Sequence, residues 1–261
     1  CNSRTSESSS NSDESRQFDS DESLSEDDEK EVSKGIVGEI FFNRYICIKY
    51  LGKGTFCRVW LVYDIINLEF YAMKMVFCKY TEEAEHEIEM YKHLGNKYNN
   101  VTKFVDSFRY NECVCMILEL MGICLIDLFN YYSQTLSENE TESALLPREL
   151  TKKIFHDLFM GLRELHNKGI VHTDLKPENI MINIFPYKIE KIKKWFNSTD
   201  IIQQYKSLLL ESLPDNFDKL DTNKKKIVKK KCRIKTLTKI KLYTKQTVLS
   251  YHKQIIDEKL K

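Results

Sequence analysis

The 261 residues predict an α+β fold in two lobes, a small antiparallel sheet carrying one helix, then the start of a larger helical lobe. Three observations lead there. Short β-branched and aromatic segments recur through residues 45–120. Helical periodicity takes over after Gly122. Strands come first and helices follow, which is the α+β order.

Tyr45 to Tyr50 is short, β-branched and aromatic, hence strand. Cys57 to Tyr63 has the same character after a glycine-containing turn, and Phe70 to Phe77 makes a third strand. Glu82 to Leu94 carries helix formers, with Ile88, Tyr91 and Leu94 at three-residue spacing and Ala84 beside them. Val101 to Phe108 and Cys113 to Leu120 complete a five-stranded antiparallel set. From Leu150 to Asn167, Ile154, Phe155, Leu158, Phe159, Leu162 and Leu165 form one helical stripe, ended by Gly169.

Charge divides the chain further. Residues 1–33 hold eleven Asp/Glu, three Lys/Arg and eleven Ser. Such a segment buries too little apolar surface to offset its ordering entropy, so disorder is expected. Serines beside acids in Ser23–Glu29 suit an acid-directed kinase, or simply a solubilising tail. From Thr222 to Ile256 there are twelve Lys/Arg and no acid. The cluster Lys224–Arg233 reads as a nuclear localisation signal, an RNA-contacting patch or a solvated Lys-rich linker. The expected divisions are a tail at 1–35, a small lobe at 36–121, the start of a large lobe at 122–185 and a basic polar spacer at 186–261. No apolar run approaches the ~18–20 residues of a membrane-spanning helix. No signal-peptide pattern opens the sequence, and a first residue of Cys1 implies a start inside a longer reading frame. Eight cysteines without a CxxC pair are expected to be reduced thiols of a cytosolic or nuclear protein.

The chemistry-bearing residues sit at fixed points on this plan. Leu51-Gly52-Lys53-Gly54-Thr55-Phe56-Cys57-Arg58-Val59 falls in a turn between two strands. A dinucleotide fingerprint requires a strand-to-helix turn, so that reading fails. What stays open is a bare hairpin turn, or a loop lying over nucleotide phosphates with its N–H groups accessible. Tyr71-Ala72-Met73-Lys74 places an ammonium in an apolar strand. If buried it needs a partner; the next helix offers Glu82, Glu83, Glu85, Glu87 and Glu89, of which Glu87 beside the packed face is the candidate, and a surface lysine at a strand end is the alternative.

Val171-His172-Thr173-Asp174-Leu175-Lys176-Pro177-Glu178-Asn179-Ile180 follows the long helix directly. It resembles the catalytic loop of eukaryotic protein kinases, and Asp-Leu-Lys-Pro-Glu-Asn resembles the serine/threonine class. The resemblance implies a bilobal protein-kinase-like fold using ATP and Mg²⁺. It implies that Asp174 orients the substrate hydroxyl and accepts its proton, Lys176 neutralises γ-phosphate charge and Asn179 ligates Mg²⁺. Leu51, Gly52, Lys53, Gly54, Thr55 and Val59 would then cover the nucleotide, with Ala72 beside it. Lys74, held by Glu87, would meet the α/β-phosphates. Leu118 is implied as gatekeeper, with Glu119 to Met121 as the hinge facing adenine.

Two departures narrow the match. Cys57 stands at the loop's third glycine position, and Thr173 replaces the usual arginine. His-Thr-Asp is shared by SR-protein kinases and LAMMER (CDC-like) kinases. Phe41–Tyr45, Phe56–Leu61, Tyr80–Ile88 and Cys115–Gly122 resemble the SR-protein kinases specifically. The 82 residues after Asn179 contain no Asp-Phe-Gly, and Asp215-Asn216-Phe217 lacks its glycine. SR-protein kinases carry a long charged spacer at this place, so residues 186–261 are expected to begin one, in a fragment that lacks the second metal-binding segment. The implied activity is that of a non-specific serine/threonine protein kinase acting on Arg/Ser-rich splicing factors, in cytoplasm and nucleus. It would be a monomer without membrane or direct nucleic-acid contacts. The competing expectations are a LAMMER-type kinase and a catalytically incompetent nucleotide-binding module.

Overall fold

A computed structural model describes residues 36–95, 97–136 and 146–259. The acidic tail expected at 1–33 lies outside these residues. Six strands form one antiparallel sheet: β1 (Ile40–Phe41), β2 (Tyr45–Gly54), β3 (Cys57–Asp64), β4 (Glu69–Val76), β5 (Phe104–Tyr110) and β6 (Cys113–Glu119). Their spatial order is β1-β2-β3-β4-β6-β5. Helix α1 (Thr81–Leu94) follows β4, and α2 (Leu125–Leu136) and α3 (Arg148–His166) follow β6.

The two faces of the sheet separate by side-chain alternation. On one face Val76, Val114 and Met116 pack with Ala84 and Ile88 of α1. On the other, Cys115 and Ile117 of β6 join Met73, Trp60 and Ile46 in the largest apolar cluster. Consecutive residues of β2 and β3, such as Tyr45–Ile48 and Trp60–Tyr63, are therefore buried together. β5 begins three residues later than expected, because Val101 packs instead with Leu94, Tyr98 and Leu165.

The second face is covered by what the sequence presented as a spacer. Residues 186–261 were expected to form a basic polar spacer, and most of them are helical: α4 (Tyr187–Ser198), α5 (Ile201–Ser212) and α6 (Thr222–Lys259). Ile192, Phe196, Ile201, Tyr205, Leu237, Ile240, Val248 and Tyr251 all belong to the main core cluster. Their spacings of three, four and eight residues within the helices are amphipathic. In α4 and α6 the abundance of lysine on the opposite faces conceals it in the average composition.

Three specific contacts fix α6. Glu39 pairs with Lys241 at 2.8 Å and Lys245 at 2.6 Å. The His252 ring nitrogen Nε2 lies 2.7 Å from the Ile48 carbonyl. Trp195 and Tyr251 stack at 3.8 Å between centroids. Gly38 allows the close approach: its φ is +82°, and a Cβ there would stand 2.7 Å from the Lys245 Cα. At the base of β2, the fully buried Asp64 carboxylate accepts from Arg44 at 2.7 Å and from the Ile66 N–H at 2.8 Å.

The cysteines depart from expectation at one place. Cys78 and Cys113 form a disulfide, with their Cα atoms 4.6 Å apart. The β4–β6 register pairs Met75 with Cys115, so the two chains still run side by side at residues 78 and 113. Cys47, Cys57, Cys115, Cys124 and Cys232 are free thiols.

Candidate active site

The glycine-containing segment is a tight hairpin between β2 and β3, with Gly54 opposite Cys57 and Lys53 opposite Arg58. A Cβ added to Gly52 would meet nothing within 4 Å, so the backbone there is open to an approaching group. The thiol of Cys57 explains how this position tolerates a side chain. It turns beneath the hairpin into the cluster of Val76, Ala84 and Ile88 rather than over it. Burial pushes that thiol's pKa up, so it stays protonated at neutral pH. Leu51, Val59 and Ala72 are half-buried around this hairpin, while Lys53 and Thr55 are exposed.

Lys74 lies in β4 opposite Val59 of β3 and Met116 of β6. Its Nζ donates to both oxygens of Glu87 on α1, at 2.9 and 2.6 Å. Both side chains are partly exposed, so the pair is reached by solvent instead of being sealed in the core. The pairing resolves the choice left by the sequence: Lys74 is not a loose surface lysine. Leu118 pairs with Ala72 on one side and Phe104 on the other. The Glu119 N–H donates to the Lys103 carbonyl at 2.8 Å, closing the strand end before Met121.

The loop after α3 gathers the remaining residues. Asn179 donates through Nδ2 to the Asp174 carboxylate and to the Asp174 carbonyl, each at 2.8 Å. Lys176 Nζ lies 3.1 Å from the same carboxylate. Lys176 first, then the Asn179 amide, holds the Asp174 carboxyl below the usual carboxylate range. It is an ionised, solvent-facing base at neutral pH. With its nitrogen engaged, Asn179 has its amide oxygen free to accept or to ligate. Thr173 adopts φ +61°, a left-handed conformation that turns the chain immediately before Asp174. The buried His172 Nδ1 has no partner among the described residues.

Sequence reasoning missed how this loop is tied to the hinge. The Gly122 N–H donates to the Ile182 carbonyl at 3.1 Å, Ile123 to Ile184 at 3.1 Å, and Ile182 back to Ile123 at 2.8 Å. Cys124 and Met181 form an antiparallel bridge. A Cβ at Gly122 would stand 2.1 Å from the Ile184 carbonyl oxygen, so only glycine permits this approach. The scarcity of glycine was the available signal: Gly122 is one of 8. The site thus forms two groups, Lys74–Glu87 in the sheet and Asp174–Lys176–Asn179 on the loop. No hydrogen bond or ion pair joins them among the described residues. A cavity of about 350 Å³ lies outside both, lined by Phe70, Leu120, Phe185, Lys193 and neighbouring residues. It shares only Glu119 with the sequence-derived set.

Known proteins resemble this chain. The protein kinase domain family matches residues 45–193. SRSF protein kinase 3 of Homo sapiens is 33% identical over 178 residues, covering 60% of this chain and 29% of that protein. Serine/threonine-protein kinase SKY1 of Saccharomyces cerevisiae is 33% identical over 157 residues, covering 54% and 20%. The probable serine/threonine-protein kinase clkA of Dictyostelium discoideum is 31% identical over 165 residues, covering 60% and 17%. The crystal structure of PF14_0431, kinase domain, superposes with a TM-score of 0.50 at 30% identity, covering 56% of this chain and 42% of that one. The chain spans less than a third of the length of these curated relatives.

Proposed function

Since the chain belongs to the protein kinase family, we propose that it transfers the γ-phosphate of ATP to serine hydroxyls of Arg/Ser-rich proteins, splicing factors among them. The observation that carries this reading is the pair of charged groups at matching places. One is an ammonium fixed by a carboxylate, Lys74–Glu87. The other is an ionised, solvent-facing carboxylate, Asp174, beside Lys176 and Asn179.

The division of labour follows from charge and geometry. Glu87 holds the Lys74 ammonium toward the cleft, where it would meet α/β-phosphate oxygens. The backbone of Gly52 to Thr55 offers N–H groups to the phosphates, with Lys53 at the hairpin tip. Leu51, Val59, Ala72 and Leu118 supply apolar walls for the adenine, and the hinge from Glu119 to Met121 its polar edge. Asp174 would accept the proton of the attacking serine hydroxyl, and Lys176 would balance charge on the group in transit. Mg²⁺ would shield the β- and γ-phosphates when bound. The Asn179 amide oxygen, left open by the Asp174 contact, fits one ligand position. Protein substrates from the splicing machinery, a monomeric state and residence in cytoplasm and nucleus belong to the same proposal, which rests on the similarity to SRSF protein kinase 3 and SKY1.

The test is phosphorylation of an Arg/Ser peptide by the natural protein with labelled ATP and Mg²⁺. Asp174→Ala and Lys74→Met should each lower the rate by about 10²–10⁴-fold, the usual range for a lost proton acceptor or positioning charge. A rate within tenfold of wild type for Asp174→Ala overturns its role as base. A second reading, nucleotide binding without transfer, is the competing outcome of the same test. ATP binding with no transfer to any Arg/Ser peptide would select it.

A further inference from the structure

We propose that the acidic, serine-rich segment 1–33 docks on the lysine face of α6, so that the helix is a binding surface for the chain's own N-terminal segment. The surface is unusual in its charge. Across residues 222–256 there are twelve Lys/Arg and no carboxylate to balance them. Lys231, Lys235 and Lys239 recur at four-residue spacing and are exposed, forming one stripe along the helix. Lys226, Lys229 and Lys230 are exposed as well, nearer the N-terminal end of the helix and turned about 120–180° round its axis from that stripe. Among the described residues none of these six has an ion-pair partner, whereas Lys224, Lys241 and Lys245 do. Like charges four residues apart on a helix repel and destabilise it. A helix built this way is more stable with an anionic partner laid along it.

The position of Ile36 says which anion is nearest. Ile36 and Val37 pack in the core cluster that contains Leu237 and Ile240 of α6. Gly38 abuts Lys245, and Glu39 already spans Lys241 and Lys245. The residues preceding Ile36 therefore start beside the middle of α6. They carry eleven acidic against four basic residues, the opposite sign to the helix. Lys231 lies about 20 Å along the helix axis from Lys245 at 1.5 Å per residue. A 33-residue chain reaches up to about 110 Å. Tethering makes the encounter intramolecular, which favours this occupant over any free polyanion at ordinary concentration. Serines interleaved with the acids limit apolar competition for the same surface.

The experiment uses the full chain and follows cleavage after glutamates within residues 1–33 by a Glu-specific protease. In low salt the wild type should be cleaved about 3–10-fold more slowly than the Lys231→Gln/Lys235→Gln/Lys239→Gln variant. The difference should vanish near 0.5 M salt, where screening falls within a few ångströms. Circular dichroism checks that the variant keeps its helices. If it does not, the salt dependence of wild-type cleavage decides alone, and a salt-independent rate overturns the proposal. Carbodiimide coupling of the wild type should link carboxylates of residues 7–31 to Lys231, Lys235 or Lys239 within one molecule. Equal cleavage of wild type and variant overturns the proposal. So do links found only in dimers, which would assign the face to a second copy. A uridine 20-mer provides the last arm. Binding to wild type as tight as to a variant with its residue 19–29 acids changed to amides would assign the face to nucleic acid and overturn the docking.

Discussion

Arg44 shows what a single side chain contributes here. Its guanidinium is the cation serving the fully buried Asp64, and it also reaches Asp106 at 3.0 Å. Removing one partner of such a pair leaves an uncompensated buried charge, at about 3–5 kcal/mol. Arg44→Ala should therefore lower unfolding stability by about 3 kcal/mol, read from the urea midpoint, since the Ile66 N–H still serves Asp64. A loss below about 1 kcal/mol would mean that water replaces the guanidinium. Arg44→Lys keeps the charge but not the two-pronged geometry and should fall between. Neither residue stood out in the sequence, because 44 and 64 are brought together only by the β2–β3 hairpin. Lys74 and Glu87 were legible for the opposite reason. An ammonium in an apolar strand demands a carboxylate, and the following helix offers one on its packed side.

At the scale of elements, α6 is held by a contact that should titrate. The His252 ring donates to the Ile48 carbonyl only while Nε2 carries a proton, and burial disfavours the charged ring. Lys49 and Lys188 nearby add to this, while the Ile48 carbonyl opposes it. Its folded pKa is thus below the usual 6.5. The unfolded chain binds the proton more readily, so this stabilisation is present above pH 6.5 and is lost as pH falls below it. Unfolding stability measured between pH 7.5 and 5 should decline, and His252→Gln should flatten that slope. An unchanged slope would show that His252 is solvated. Five of the six strands were legible from their short β-branched and aromatic runs, and α1 from its three-residue apolar spacing. β1 was not, since Ile40–Phe41 is too short to show alternation. The helices α4 and α6 were hidden by their lysines, whereas α5 has only Lys206 and its apolar spacing was passed over. In α6 the stripe of Leu237, Ile240, Thr244, Val248 and Tyr251 has helical spacing, but threonine and the surrounding charges dilute it.

For the molecule as a whole, the uneven covering of its helices matters most. The sheet is packed on both faces, whereas α3 is covered chiefly at its C-terminal end, where Leu165 and Gly161 are buried. Phe155 and Phe159, 46% and 63% exposed, lie side by side on it with centroids 6.2 Å apart. Exposed aromatic pairs of this kind promote association. Phe155→Ser/Phe159→Ser should lower concentration-dependent light scattering while changing folding stability by less than about 1 kcal/mol, as surface positions allow. Scattering that does not change would place the association elsewhere. The expectation of an apolar stripe along α3 was correct as a pattern, but the sequence could not say which part of it finds a neighbour.

The clasp between β1–β2 and α6 also sets an order of events during synthesis. Glu39 meets Lys245 across 206 positions, and Ile48 meets His252 across 204. Translation proceeds at about 5–20 residues per second. The first strands therefore leave the ribosome about 10–40 seconds before the helix that covers them exists. Throughout that interval Ile46, Ile48 and Trp60 have one face without its cover. The nascent chain must wait with an open sheet, and chaperone demand should peak in that window rather than after release.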